Sequence, residues 1–139
     1  MRAITRTVEH VGEWQVALTA DTLEELFAEV ARAIAGSAGA KPGEPADWEQ
    51  VSVTARDVST LLADWANELL GRSEATGRAY GDVRGVRIRD QRDGTVGISA
   101  EVRGRSVEDW RSPLKAATYH ALTLEQRGRR WHATMLFDV

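Results

Sequence analysis

Most of the C-terminal half alternates with a period of two, and that alternation breaks at two strong turn signals. VRGVRIRD (Val83 to Asp90) and TVGISAEV (Thr95 to Val102) surround Gln91 to Gly94, where Asp93-Gly94 is a hairpin turn. AATYHALTLEQ and RWHATMLFDV surround Arg127-Gly128-Arg129, a second hairpin with Gly128 at its tip. Two hairpins demand antiparallel pairing. WQVALT, from Trp14, and WEQVSVTA, from Trp48, add further alternating strands. The last strand runs into Phe137-Asp138-Val139, so an apolar strand and two carboxylates stand where most chains fray. Pairing within a sheet core would hold it.

Two segments switch to the helical period. Leu23, Leu26, Phe27, Val30, Ala31 and Ile34 form one apolar stripe, with Thr22 and Glu25 as a capping box and Gly36 as the expected stop. Leu61, Leu62, Trp65 and Leu69 form a second stripe, expected from about Val58 to Leu70, with Gly71 after it. The intervening AGSAGAKPGEPADW reads as a loop. The expected order is strand, strand, helix, strand, helix, then four strands in two hairpins. This predicts an α+β fold: largely antiparallel sheets carrying two amphipathic helices, in a single domain over residues 1–139.

Composition narrows the function classes. With 42% hydrophobic and 28% charged residues the chain can build a core and is not of the disordered type. Its net charge of -3 argues against a protein whose main work is gripping nucleic-acid phosphates. The absence of cysteine excludes disulfides, thiolate catalysis and Cys-ligated zinc. The first ten residues lack the apolar run of a signal peptide, and no stretch approaches a membrane span, so a cytoplasmic location is expected.

No nucleotide-binding loop, serine nucleophile elbow or His-Glu-x-x-His sequence is present. His10, His120 and His132 lack ligand spacing and read as structural or exposed. Asp64 and Glu68 share a helix face, which suits either an acid pair or an ordinary solvated face; the second is the commoner use of this spacing. Arg127, Arg129 and Arg130 at the last hairpin read as a solvated tip rather than a phosphate contact. In SPLKAATYHAL, Pro113 suits a strand entrance. Alternation there sets Lys115, Ala117, Tyr119 and Ala121 on one face, with Ala116, Thr118, His120 and Leu122 on the other.

PLKAATYHAL together with the ending FDV resembles the archease family, whose members carry Pro-Leu-Lys-x-x-Thr-Tyr-His and close on Asp plus an aliphatic residue. LLADWANELL and TLEELFAEVARAI are similar to the family's two helices, in family order, so the resemblance covers essentially the whole chain. It departs at the N-terminus. The family opens Glu-His-Thr-Ala-Asp, whereas Glu9-His10 is followed here by Val11, Gly12 and Glu13, and ungapped spacing to Thr22 sets Glu13 at the Asp position.

The resemblance implies an accessory protein rather than a catalyst. Archeases promote guanylylation and multiple turnover of the ligase that joins 3′-phosphate to 5′-hydroxyl RNA ends, touching tRNA or broken RNA through that ligase. It also implies a divalent metal, calcium, held by Glu13, Asp138 and the carboxylate of Val139. Oxygen ligands suit a hard cation. His10, Lys115, Tyr119, His120, Asp64 and Glu68 are the further candidates for partner contact. Two other classes compete: a chaperone or regulator of another RNA-processing enzyme such as a tRNA methyltransferase, and a metal-dependent hydrolase. The hydrolase is disfavoured because no nucleophile or supported base is evident.

Overall fold

The computed structural model describes residues 4–10, 13–39, 41–110 and 114–139, with side chains from residue 13 onward. Val11, Gly12 and Pro113, and the side chains of Glu9 and His10, lie outside the described residues.

The chain runs β1 (Ile4–His10), β2 (Glu13–Ala20), α1 (Leu23–Ala38), β3 (Pro42–Pro45), β4 (Glu49–Ala55), α2 (Val58–Thr76), β5 (Ala79–Asp90), β6 (Val96–Val107), β7 (Ala116–Arg127) and β8 (Arg130–Asp138). All described strand pairs are antiparallel. Sheet A has the order β1-β2-β8-β7. In sheet B the central strand β6 pairs with β5 along one edge and with β4 and β3 along the other. The expected α+β architecture and both hairpins are therefore present. Gly94 and Gly128 take the left-handed φ values of 88° and 60° that their turns require.

Thr22 caps α1 as expected, its hydroxyl accepting from the Glu25 N–H at 3.0 Å. The helix does not stop at Gly36 but continues to Ala38, keeping Ala38 in the core. It stops at Gly39, where a Cβ would meet the Val107 side chain of β6 at 2.2 Å, so only glycine fits this close packing. The second helix likewise passes Gly71 and ends at Gly77, in the left-handed conformation at φ 70°. The Gly77 N–H donates to the Ser73 carbonyl at 2.8 Å. A mid-helix glycine costs about 1 kcal/mol against alanine. Burial of Leu69 and Ser73 on either side keeps this turn on the core. β3 was not expected. Its four residues are exposed and carry two prolines, so no alternation announces them, and an edge position tolerates proline.

One apolar cluster joins all the layers. α1 packs on β5 and β2, while α2 packs on β7 and β4. Val16, Leu18, Met135 and Phe137 enter it from sheet A, and Val51, Ile98 and Val102 from sheet B. Trp65 of α2 is fully buried and donates its indole N–H to the Phe27 carbonyl of α1 at 2.9 Å, so the helix pair has a fixed contact within the core.

Candidate metal centre and its neighbours

Alternation dictates the arrangement at one end of sheet A. Trp14 and Phe137 are register partners, their ring centroids are 5.6 Å apart, and Phe137 is buried. With these two aromatics turned to the core side, the preceding Glu13 and the following Asp138 fall on the opposite, outer face. They too are register partners, and both are exposed. Cross-strand partners carry their Cβ atoms about 4.5–5.5 Å apart, and like charges directly opposite one another repel. The row extends both ways: His10 pairs with Glu13 on one side, and Ala116 pairs with Asp138 on the other. Lys115, exposed just before β7, donates its backbone N–H to the Asp138 carbonyl at 2.8 Å. Val139 follows directly and is 40% exposed.

Neither Glu13 nor Asp138 has an ion-pair partner among the described residues. No group of three or more His, Asp or Glu side chains converges among those residues either. Two adjoining carboxylates, with a main-chain carboxylate next to one of them, form an all-oxygen donor set suited to a hard divalent cation. The residues present fit such an ion.

The other candidates separate into different settings. Tyr119 donates its hydroxyl to the Asp64 carboxylate on α2, and that hydrogen bond, followed by desolvation, raises the phenol above its usual range. Glu68 instead pairs with Arg72 at 2.9 Å, and Arg72 also reaches Glu49 at 2.8 Å. Glu49 in turn accepts from the Tyr80 hydroxyl at 2.8 Å. Asp64 and Glu68 therefore serve different networks and do not form one acid pair.

His120 is exposed in a break of β7. The register jumps there: Thr118 pairs with Leu136 and Thr123 with Thr134, so β7 spends five residues while β8 spends two. Strict alternation from Lys115 to Leu124 is thus interrupted. Ala117 is buried, Tyr119 is exposed, and Ala121 has a left-handed φ of 57°. The expected grouping of Lys115, Ala117, Tyr119 and Ala121 on one strand face does not survive the bulge. At the β7–β8 turn, Arg127 pairs with Glu125 and Arg130 lies 3.9 Å from Asp21.

Sequence reasoning missed Asn67. Its side-chain amide donates to the Ala117 carbonyl at 3.1 Å and its oxygen accepts from the Ala117 N–H at 2.7 Å. This double contact fixes the start of β7 beside Asp138. The available signal was a lone asparagine inside an apolar helical stretch, where its side chain competes with helical hydrogen bonding unless it has a partner elsewhere.

The architecture defines a class: small α+β proteins in which two antiparallel sheets share a core with two helices, with acids at one end of a four-stranded sheet. The profile of the archease protein family (MTH1598/TM1083) matches residues 6–139, and the chain belongs to that family. It is 29% identical over 139 residues to Protein archease of Methanosarcina acetivorans, covering 95% of this chain and 93% of that one. It is 30% identical over 136 residues to Protein archease of Thermococcus kodakarensis, covering 94% and 95%. Its fold is similar to the solution structure of Methanobacterium thermoautotrophicum protein 1598, with TM-score 0.78, 21% identity, and 97% and 98% of the two chains covered. It is also similar to the crystal structure of an "archease, possible chaperone" from Thermotoga maritima, with TM-score 0.60, 18% identity, and 100% and 98% covered. No helix among the described residues is long and apolar enough to cross a membrane.

Proposed function

We propose that this archease is a non-catalytic activator of a 3′-phosphate/5′-hydroxyl RNA ligase, acting through the acidic end of sheet A. The observation that carries the reading is the direct pairing of Glu13 with Asp138, in a chain matched to the family from residue 6 onward. Glu13, Asp138 and the Val139 carboxylate would hold a divalent cation, calcium being the expected ion. When bound, that ion supplies positive charge that offsets the repulsion of the carboxylates. The protein's own part is positional. Trp14 and Phe137 anchor the two strands, Asn67 clamps β7, and the Lys115 N–H holds the Asp138 carbonyl. The end presented to the ligase is thereby rigid. A rigid end can shift a partner only by binding its guanylylation-competent state better than the other state.

The test has two readouts. Calorimetric titration with calcium should show binding by wild type and a loss of at least about tenfold in affinity for Asp138→Ala, the loss of one carboxylate ligand. Multiple-turnover guanylylation of a cognate ligase should rise with wild type and fall back toward the unassisted rate with the variant. Equal metal binding by both proteins would remove the proposed ligand. An unchanged ligase rate at every concentration of wild-type protein would remove the activator role. A protein extended by a few residues beyond Val139 tests the third ligand in the same assays, and wild-type behaviour would exclude it.

A further inference from the structure

We infer that the outer face of sheet B is a binding surface for single-stranded RNA, engaging its phosphates through Arg87 and Arg89 across a groove floored by Gly97. The choice of RNA rests on the proposed function; the basic surface does not.

The face is built by register. Along β6, Val96, Ile98, Ala100 and Val102 are buried, so Gly97, Ser99, Glu101, Arg103 and Arg105 face outward. Their partners on β5 are Arg89, Arg87, Arg84, Asp82 and Ala79, and Thr54, Ser52 and Gln50 of β4 pair with the first three from the other edge. Arg87 lies three positions after Arg84, which in a regular strand would turn them to opposite faces. A register shift between them absorbs the extra residue, and Gly85 within it takes the left-handed φ of 63°. The bulge therefore brings Arg84, Arg87 and Arg89 to one side.

Among the described residues, five arginines share this face with two carboxylates, in a chain whose net charge is -3. Asp82 is committed to Arg103 and Arg105 at 2.7 and 2.8 Å, and Glu101 to Arg84 at 3.1 Å. Burial works to raise the Asp82 carboxyl, but the two guanidinium hydrogen bonds prevail and hold it below its usual range. Arg84 and Arg103 also stack on Trp48, at 4.0 and 4.5 Å from the ring centroid. Arg87 and Arg89 are exposed and have no carboxylate partner among the described residues.

Between these two arginines and the β4 edge lies a depression of about 260 Å³, lined by Ser52, Thr54, Gly97, Ser99, Arg87 and Arg89 among others. Val53 and Ile98 also line it, and the hydroxyls and guanidiniums at its rim suit phosphate oxygens. Two arginines two residues apart on a strand repeat about every 6.7 Å, a spacing that tracks an extended polyanion. The absence of a side chain at Gly97 leaves the floor to the flexible Gln91 side chain and the Thr54 hydroxyl. A Cβ there would meet only flexible or polar side-chain atoms, the nearest being the Gln91 amide nitrogen at 2.9 Å.

The test is fluorescence anisotropy with a short labelled single-stranded RNA and the whole protein, without ligase, over a range of salt. Arg87→Gln/Arg89→Gln should weaken binding roughly tenfold at low salt and flatten the slope of log K against log salt by about 1.4, or 0.7 per lost contact on a single strand. Gly97→Val leaves every charge in place and fills the groove; it should also weaken binding, which a merely diffuse positive field would not do. Circular dichroism melts verify folding of each variant. The inference is overturned if wild type does not bind the RNA. It is equally overturned if either folded variant binds as wild type does, or if the face captures polyglutamate in preference to RNA. Guanylylation measured without RNA on the same proteins separates the two ideas: failure there with RNA binding intact removes the activator reading and leaves the surface standing.

Discussion

Asn67 is a polar side chain inside a 19-residue helix, and its position is explained by a single backbone unit on another element. Ala117 is buried, and Asn67 meets both its N–H and its carbonyl. Removing that partner leaves two backbone groups unsatisfied at the helix–strand contact. Asn67→Ala should lower stability by about 1–3 kcal/mol in urea denaturation. Asn67→Asp, which keeps the acceptor and loses the donor, should fall between the two proteins. A variant as stable as wild type would show that water replaces the clamp at no cost.

β7 breaks its pairing with β8 once, near its middle. Four residues, Tyr119 to Leu122, stand in the register jump between Thr118 and Thr123, and the hydroxyl of Tyr119 is tied to Asp64 rather than to the strand. The break gives α2 and sheet A a polar link on the exposed side, in addition to their apolar contact. It also places Ala121 in the left-handed region, which disfavours a Cβ by roughly 1–2 kcal/mol. Ala121→Gly removes that strain but adds backbone freedom to the unfolded chain, about 0.5–1 kcal/mol in the opposite direction. The net expectation is a gain of about 0.5–1 kcal/mol in chemical denaturation. Ala121→Val should be destabilising, because a β-branched residue fits this conformation still less well. Loss of stability in the glycine variant would mean that the alanine methyl contributes packing that outweighs its strain.

Across the molecule, two sheets and two helices share one apolar cluster, and Trp65 lies fully buried within it. Its ring packs 6.3 Å from that of Phe27, and its N–H satisfies the Phe27 carbonyl. Trp65→Ala should cost about 3–5 kcal/mol. Because both sheets depend on the same cluster, unfolding should remain a single transition by far-ultraviolet circular dichroism and by fluorescence of the remaining tryptophans. Two separated transitions would indicate that the sheets hold independent cores. The same unity gives the functional proposal its physical sense: the acidic end of sheet A sits one residue beyond core aromatics, so it is held by the whole molecule rather than by a loop.

Local pattern by itself determined the class and much of the element order. Apolar stripes placed both helices, alternation placed the main strands, and Asp93-Gly94 and Gly128 marked the two hairpins, because these signals act over a few neighbouring residues. The motifs around Lys115 and Asp138 pointed to the family, and the profile match over residues 6–139 supports that assignment. Tertiary structure decided what depends on distant partners. The helices run past Gly36 and Gly71 because packing outweighs glycine's propensity. β3 exists because β6 offers it an edge, and Asp64 and Glu68 part company because Tyr119 of β7 reaches Asp64 while Arg72, one helical turn on, ties Glu68 to Glu49 of β4. Pairing of Glu13 with Asp138 across 125 residues of chain, and of Arg84, Arg87 and Arg89 on one face, depends on strand register and a bulge. Register is set by which faces are buried against the rest of the fold, and no local run of sequence contains that information.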